Sequence, residues 1–104
     1  MARRKKYTRH ISKDNVLTMR LELKKFGEVL TSRPAGKEAF AAIRPILDAN
    51  AKVVEIDFSG IISLSPSFAD EFFTALKGMY GKRVTYLPTD NPTVIETLKI
   101  IEEN

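Results

Sequence analysis

Residues 63–73 read SLSPSFADEFF, three serines, a proline and two acids set against an aromatic run. Three chemistries fit such a stretch: hydroxyls that accept a phosphoryl group, carboxylates that hold a metal or work as acid and base, and side chains that cap the start of a helix. The carboxylates of interest are Asp70 and Glu71, with Asp57 near the end of the preceding apolar run KVVEIDFSG, where open α/β sheets commonly place ligands. The chain contains a single histidine, His10, and no cysteine, so neither a Ser/His/Asp triad, a multi-histidine metal centre nor a thiolate site can be assembled within it. Acids in a first helical turn are favoured by the macrodipole, and a strand-end aspartate often accepts backbone bonds from the next loop. Those three acids therefore read first as structural, and neither a metal nor a cofactor is expected. Gly36 and Lys37 are followed by Glu38, and Thr31 stands where a nucleotide-binding loop needs its leading glycine, so no phosphate cradle of that type is present.

Pro66 biases Ser65 away from helical angles and suits the first helical position itself, so Ser65 can cap a helix that begins there. A competing frame makes Ser67 the cap, with Asp70 returning the bond. Under the first frame Ser67 lies in the exposed initial turn, where a phosphate would meet free N–H groups but also face Asp70 and Glu71. Arg33 follows another cap candidate, Ser32, and Lys82 with Arg83 opens a strand; basic residues at element ends are normally solvated.

The elements that must position these groups are legible from periodicity. VLTMRLELKKF alternates Leu17, Met19, Leu21 and Leu23 with polar residues, which predicts a half-buried strand, and a turn at Gly27 precedes a short extended piece through Val29 and Leu30. SRPAGKEAFAAIRPILDAN predicts a helix with buried Ala39, Phe40, Ile43, Ile46 and Leu47, broken or kinked near Ile43 and Arg44 by Pro45 and ending around residues 48–50. The run Val53, Val54, Ile56, Phe58 predicts a strand covered on both faces. From Pro66, a stripe of Phe68, Phe72, Leu76 and Met79 predicts a helix with an exit at Gly78 and Gly81. KRVTYLP is a further strand, and Asn91 with Pro92 starts a last helix whose stripe is Val94, Ile95, Leu98 and Ile101. Strand alternating with helix argues for an α/β layer.

The 104 residues suit one domain, and no apolar run is long enough to cross a bilayer. The net charge of +4 is unevenly placed: Arg3, Arg4, Lys5, Lys6 and Arg9 face no acid within residues 1–10, whereas residues 11–104 hold twelve Lys and Arg against all 13 acids. The chain is thus expected to be a near-neutral domain from residue 15 to 104 behind a basic, flexible tail at 1–14. No apolar stretch follows the basic start, which argues against export, and the absence of cysteine fits a cytoplasmic location.

The order of elements and the residues VVEIDFSGIISLSPSFADEFFTAL resemble the STAS fold of sulfate transporters and anti-sigma-factor antagonists, and are most similar to its divergent STAS-like branch. In that branch a Ser-Arg pair opening a helix corresponds to Ser32 and Arg33, apolar-Asp-Phe-x-Gly to Ile56–Gly60, and Ser-x-Ser-Phe-Ala-Asp-Glu to Ser65–Glu71; the likeness spans roughly residues 16–100. The resemblance implies a small α/β domain, a mixed sheet of about four strands with about three helices, acting as a non-enzymatic regulatory protein-interaction module. It implies an ATP-binding kinase-like or anti-sigma-type partner, a docking surface involving Arg33, Asp57, Asp70 and Glu71, and a serine at the start of the helix after the central strand that the partner phosphorylates. The acceptor position falls on Pro66, which cannot be phosphorylated, and Phe68 replaces a glycine of the turn; Ser65 and Ser67 flank that position. The alternative from the residues themselves is a nucleic-acid-associated protein that uses Arg3, Arg4, Lys5, Lys6 and Arg9.

Overall fold

The computed structural model describes the backbone of residues 7–11 and, with side chains, residues 17–102. Strand β1 (Tyr7–Ile11) pairs antiparallel with β2 (Leu17–Glu22); β2 pairs parallel with β4 (Val53–Asp57), and β4 parallel with β6 (Val84–Tyr86), giving one mixed sheet of order β1-β2-β4-β6. A second, parallel ladder joins β3 (Val29–Leu30) to β5 (Ser63–Leu64). Helices α1 (Arg33–Ile43), α2 (Pro66–Tyr80) and α3 (Pro92–Glu102) complete the fold. The small mixed α/β architecture expected of a STAS-like domain is the one observed.

The structure meets the sequence expectation at some boundaries and departs from it at others, each for a physical reason. Residues 7–11 of the basic leader are an edge strand, so the expected tail through residue 14 is interrupted by sheet pairing. Pro45 lacks an amide proton and its ring crowds the preceding turn. Helix α1 accordingly stops at Ile43, residues 44–46 form a single 3₁₀ turn, and Leu47 is already extended. Strand β4 is not covered on both faces. Val54 and Ile56 are fully buried with Met19 and Leu21 beneath the helices, while the alternate face carries Glu55 beside Arg20, 3.2 Å apart, and the exposed Thr85. Hence β4 alternates despite its apolar composition, because Phe58 lies beyond the strand and packs into the core from the loop.

Core packing centres on α2. Phe68, Ala69, Phe72, Phe73, Leu76 and Tyr80 are buried, and the Phe72 ring lies 5.3–6.3 Å from those of Phe26, Phe40, Phe68 and Phe73. Met79, assigned to this stripe from spacing, is 38% exposed; the buried position one residue on is Tyr80, whose hydroxyl donates to the Asp48 carbonyl at 2.7 Å. In α3, Ile95 is likewise 38% exposed, and its expected place in the stripe is taken by the buried Thr97. Arg83 is not a solvated strand opener. Its guanidinium donates to the carbonyls of Met79, Tyr80, Ala49 and Ala51, tying the end of α2 to the loop before β4.

Helices α1 and α2 meet at Gly36. A Cβ there would lie 2.7 Å from the Phe68 carbonyl oxygen and 3.0 Å from the Glu71 Cβ, so the crossing requires a residue without a side chain. Gly78, also helical, has nothing within 4 Å of such a Cβ. Alanine gains roughly 1 kcal/mol over glycine in a helix interior, whereas a contact against backbone forces the helices apart at a loss of roughly 1–3 kcal/mol. We therefore expect Gly78→Ala to raise the urea midpoint and Gly36→Ala to lower it; equal effects of the two substitutions would contradict this account of the crossing.

Candidate functional site

The start of α2 is held from three directions. Within β5, Leu64 presents its amide and carbonyl away from β3, and α3 answers with two threonines one turn apart: the Leu64 amide donates to Thr93 Oγ1 at 3.1 Å, and Thr97 Oγ1 donates to the Leu64 carbonyl at 2.7 Å. On the other side the Ser65 amide donates to the Leu30 carbonyl at 2.9 Å. Ser65 itself is extended, with φ −100° and ψ 158°; its hydroxyl accepts from the Phe68 amide at 3.3 Å and donates to the Thr31 carbonyl at 2.7 Å. Of the two capping frames that the sequence leaves open, the one with Ser65 as cap and Pro66 in the first turn is therefore correct. Ser67 is half-buried in that turn, and its hydroxyl has no hydrogen-bond partner among the described residues.

Arg33, Asp70 and Glu71 come together across the α1–α2 crossing. Ser32 caps α1 by accepting from the Ala35 amide at 3.1 Å, which places Arg33 at the first helical position, one turn before Gly36. Its guanidinium donates to Asp70 Oδ2 at 2.8 Å and lies 3.8 Å from Glu71 Oε1; Thr74 Oγ1 donates to the other Asp70 oxygen at 3.4 Å. The hydrogen bond from Arg33, and then its charge, hold the Asp70 carboxyl below the usual carboxylate range, while the same bond raises the Arg33 pKa further. Both side chains are about half exposed, at 50% and 55%, so the pair is screened by solvent and orients the two helices more than it stabilises them.

Asp57 stands apart. Its Oδ1 accepts from the Ser59 amide at 2.9 Å, an Asx turn closing β4, and it borders a shallow depression with Glu22, Lys24, Ser59 and Gly60. None of Arg33, Asp70 or Glu71 lines that depression. Among the described residues, no group of three or more His, Asp or Glu converges to hold a metal ion. Arg3, Arg4, Lys5 and Lys6 lie outside the described residues, and Arg9 falls within β1. Thr93 and Thr97, which fasten the helix start, have no functional signal in the sequence; spacing alone puts Thr97, three residues after Val94 and four before Ile101, on the buried face of α3.

The family model described as "STAS-like domain of unknown function (DUF4325)" matches residues 35–102, and the chain belongs to that family. No curated protein and no solved structure gives a match to it. No helix among the described residues is long and apolar enough to cross a membrane.

Two expectations follow from the geometry. Ser65→Ala leaves the Phe68 amide without its acceptor and removes the tie to Thr31, and is expected to lower stability by about 1–2 kcal/mol, whereas Ser67→Ala stays within about 0.5 kcal/mol of the parent in equilibrium denaturation. A reversed order would contradict the assignment of the cap. For the ion pair, a carboxyl whose pKa is depressed by folding contributes stability that is present above its unfolded-state value and is lost as pH falls through the folded-state value. The stability gap between the parent and Arg33→Gln should thus be constant near neutrality and close as the pH drops through and below the carboxylate range; urea titrations at a series of pH values would show it, and a gap that persists in acid would mean that Asp70 is not the partner that matters.

Proposed function

We propose that this chain is a cytoplasmic regulatory module that acts by binding another protein and performs no chemistry of its own. Its partner docks over the end of the molecule where α1 and α2 begin, contacting Pro66, Ser67, Arg33, Asp70 and Glu71, and is an ATP-binding, kinase-like or anti-sigma-type protein that uses Ser67 as phosphoryl acceptor. Asp57, which borders a different depression, contributes at most from the margin of that face.

The observation that carries this reading is the contrast between two hydroxyls two residues apart. Ser65 is engaged as both donor and acceptor, so a phosphate there would undo the cap; Ser67 is unengaged, and its modification leaves the helix boundary intact. Membership of a STAS-like family supports an interaction role, and the acceptor position that the resemblance implies falls at Pro66, immediately beside Ser67.

The test is quantitative capture from native extract with parent, Ser67→Ala and Ser67→Asp proteins, coupled to intact-mass measurement after incubation with ATP. One partner should be retained by the parent and Ser67→Ala and reduced about tenfold or more by Ser67→Asp, and the mass of one phosphate should appear on the parent alone. Equal capture by all three proteins together with an unchanged parent mass would sink the proposal.

A further inference from the structure

The α1–α2 crossing brings Arg33 to the side of α2 that carries Ser67. Gly36 packs on Phe68, the residue next to Ser67, and Arg33 lies three positions before Gly36 on α1. Asp70 and Glu71, which Arg33 touches, are three and four positions after Ser67, hence its neighbours on the same side of α2, with Cβ separations of about 5–6 Å for such spacings. Helical side chains lean toward the N-terminus, so the two carboxylates lean toward Ser67. A guanidinium has five N–H donors, and only one of the Arg33 nitrogens, Nη1, is engaged with the acids.

We infer that Arg33 is the internal receptor for a phosphate on Ser67, and that modification exchanges its partner from the Asp70 carboxylate to the phosphate. This rests on the reading of Ser67 as acceptor. In the modifying step the Ser67 Oγ–phosphorus bond forms as the bond from the γ-phosphorus to the β-phosphate oxygen of ATP breaks, ADP leaves, and the hydroxyl proton passes to a base of the partner protein. The new group carries nearly two negative charges and three acceptor oxygens beside two carboxylates. With Arg33 retained by Asp70, that dianion would face like charge uncompensated. A bidentate guanidinium–phosphate contact is stronger than an exposed single arginine–carboxylate bond, so the exchange follows, and Asp70 keeps the Thr74 hydroxyl. The α1–α2 clasp is then remade through the phosphate, and a partner that used the Arg33 guanidinium loses it at the same moment that the face becomes anionic. Modification thus removes an attractive contact and adds a repulsive one.

Phosphoserine installed at position 67 by genetic encoding tests this without the partner. The phosphate is titrated by ³¹P NMR in the parent, in Arg33→Gln, and in Lys37→Gln, which removes an exposed cation from the same helix. A guanidinium that pairs with the dianion lowers its second pKa, so Arg33→Gln should raise that pKa by roughly half a unit or more, well beyond Lys37→Gln. The Arg33 Nε–H signal should move with the same midpoint as the phosphorus. An Arg33→Gln titration no different from Lys37→Gln, or an Arg33 signal that ignores phosphate ionisation, overturns the exchange. If the exchange is seen but Ser67→Asp leaves partner capture unchanged, the docking reading fails while the inference about Arg33 stands; the opposite pattern refutes the inference alone.

Discussion

The close approach of α1 and α2 at Gly36 is the constraint on which the described end of this protein depends. Because no side chain intervenes, the backbone of α1 rests against the Phe68 carbonyl, and the two helix starts are brought to a common edge. Two serine caps, Ser32 and Ser65, then face the same region, and a cation from one helix meets the acids of the other. The aromatic cluster around Phe72 fills the space beneath. Burial of these rings supplies the driving force, while Gly36 sets the distance at which the helices stop.

A second constraint acts from below. The β3–β5 ladder is only two residues long on each strand, too short to hold its own register. Thr93 and Thr97 of α3 take the place of a neighbouring strand by satisfying both backbone groups of Leu64, and Ser65 continues the ladder by bonding Leu30 and Thr31. Each of these bonds is of modest worth, but leaving buried amides and carbonyls unpaired would be expensive, so the threonines decide where α2 begins. The turn that carries Ser67 is therefore preorganised by residues from three separate parts of the chain, which is the condition a docking surface needs.

The α/β order, the cap at Asn91, the break before Pro45 and the helix start at Ser65–Pro66 were legible in the sequence because each rests on a local rule: a period, a missing amide proton, a restricted φ. Elsewhere packing overrides composition. The run Val53–Phe58 looked like a strand buried on both sides, yet Glu55 pairs with Arg20 on an open face, since the helices lie against the other. Met79 and Ile95 looked like core and are exposed, because the helix stripes drift toward Tyr80 and Thr97 where hydrogen-bond partners wait. Arg83 looked solvated and is a clamp on four carbonyls.

By itself the sequence determined the class of fold, the family likeness, and the boundary of the serine-bearing helix, all set by interactions between residues within a few positions of one another. Only the tertiary structure decided which of the four acidic and basic candidates belong together. Arg33 lies 37 residues before Asp70, and nothing local to either predicts their contact; Asp57, much nearer to Asp70 in the chain, borders a different surface. Side-chain convergence depends on how the helices cross, and that crossing is settled by where a glycine permits contact and where buried rings require it. The distinction between Ser65 and Ser67 has the same origin, since it turns on a carbonyl at Thr31 that the fold delivers from 34 residues away.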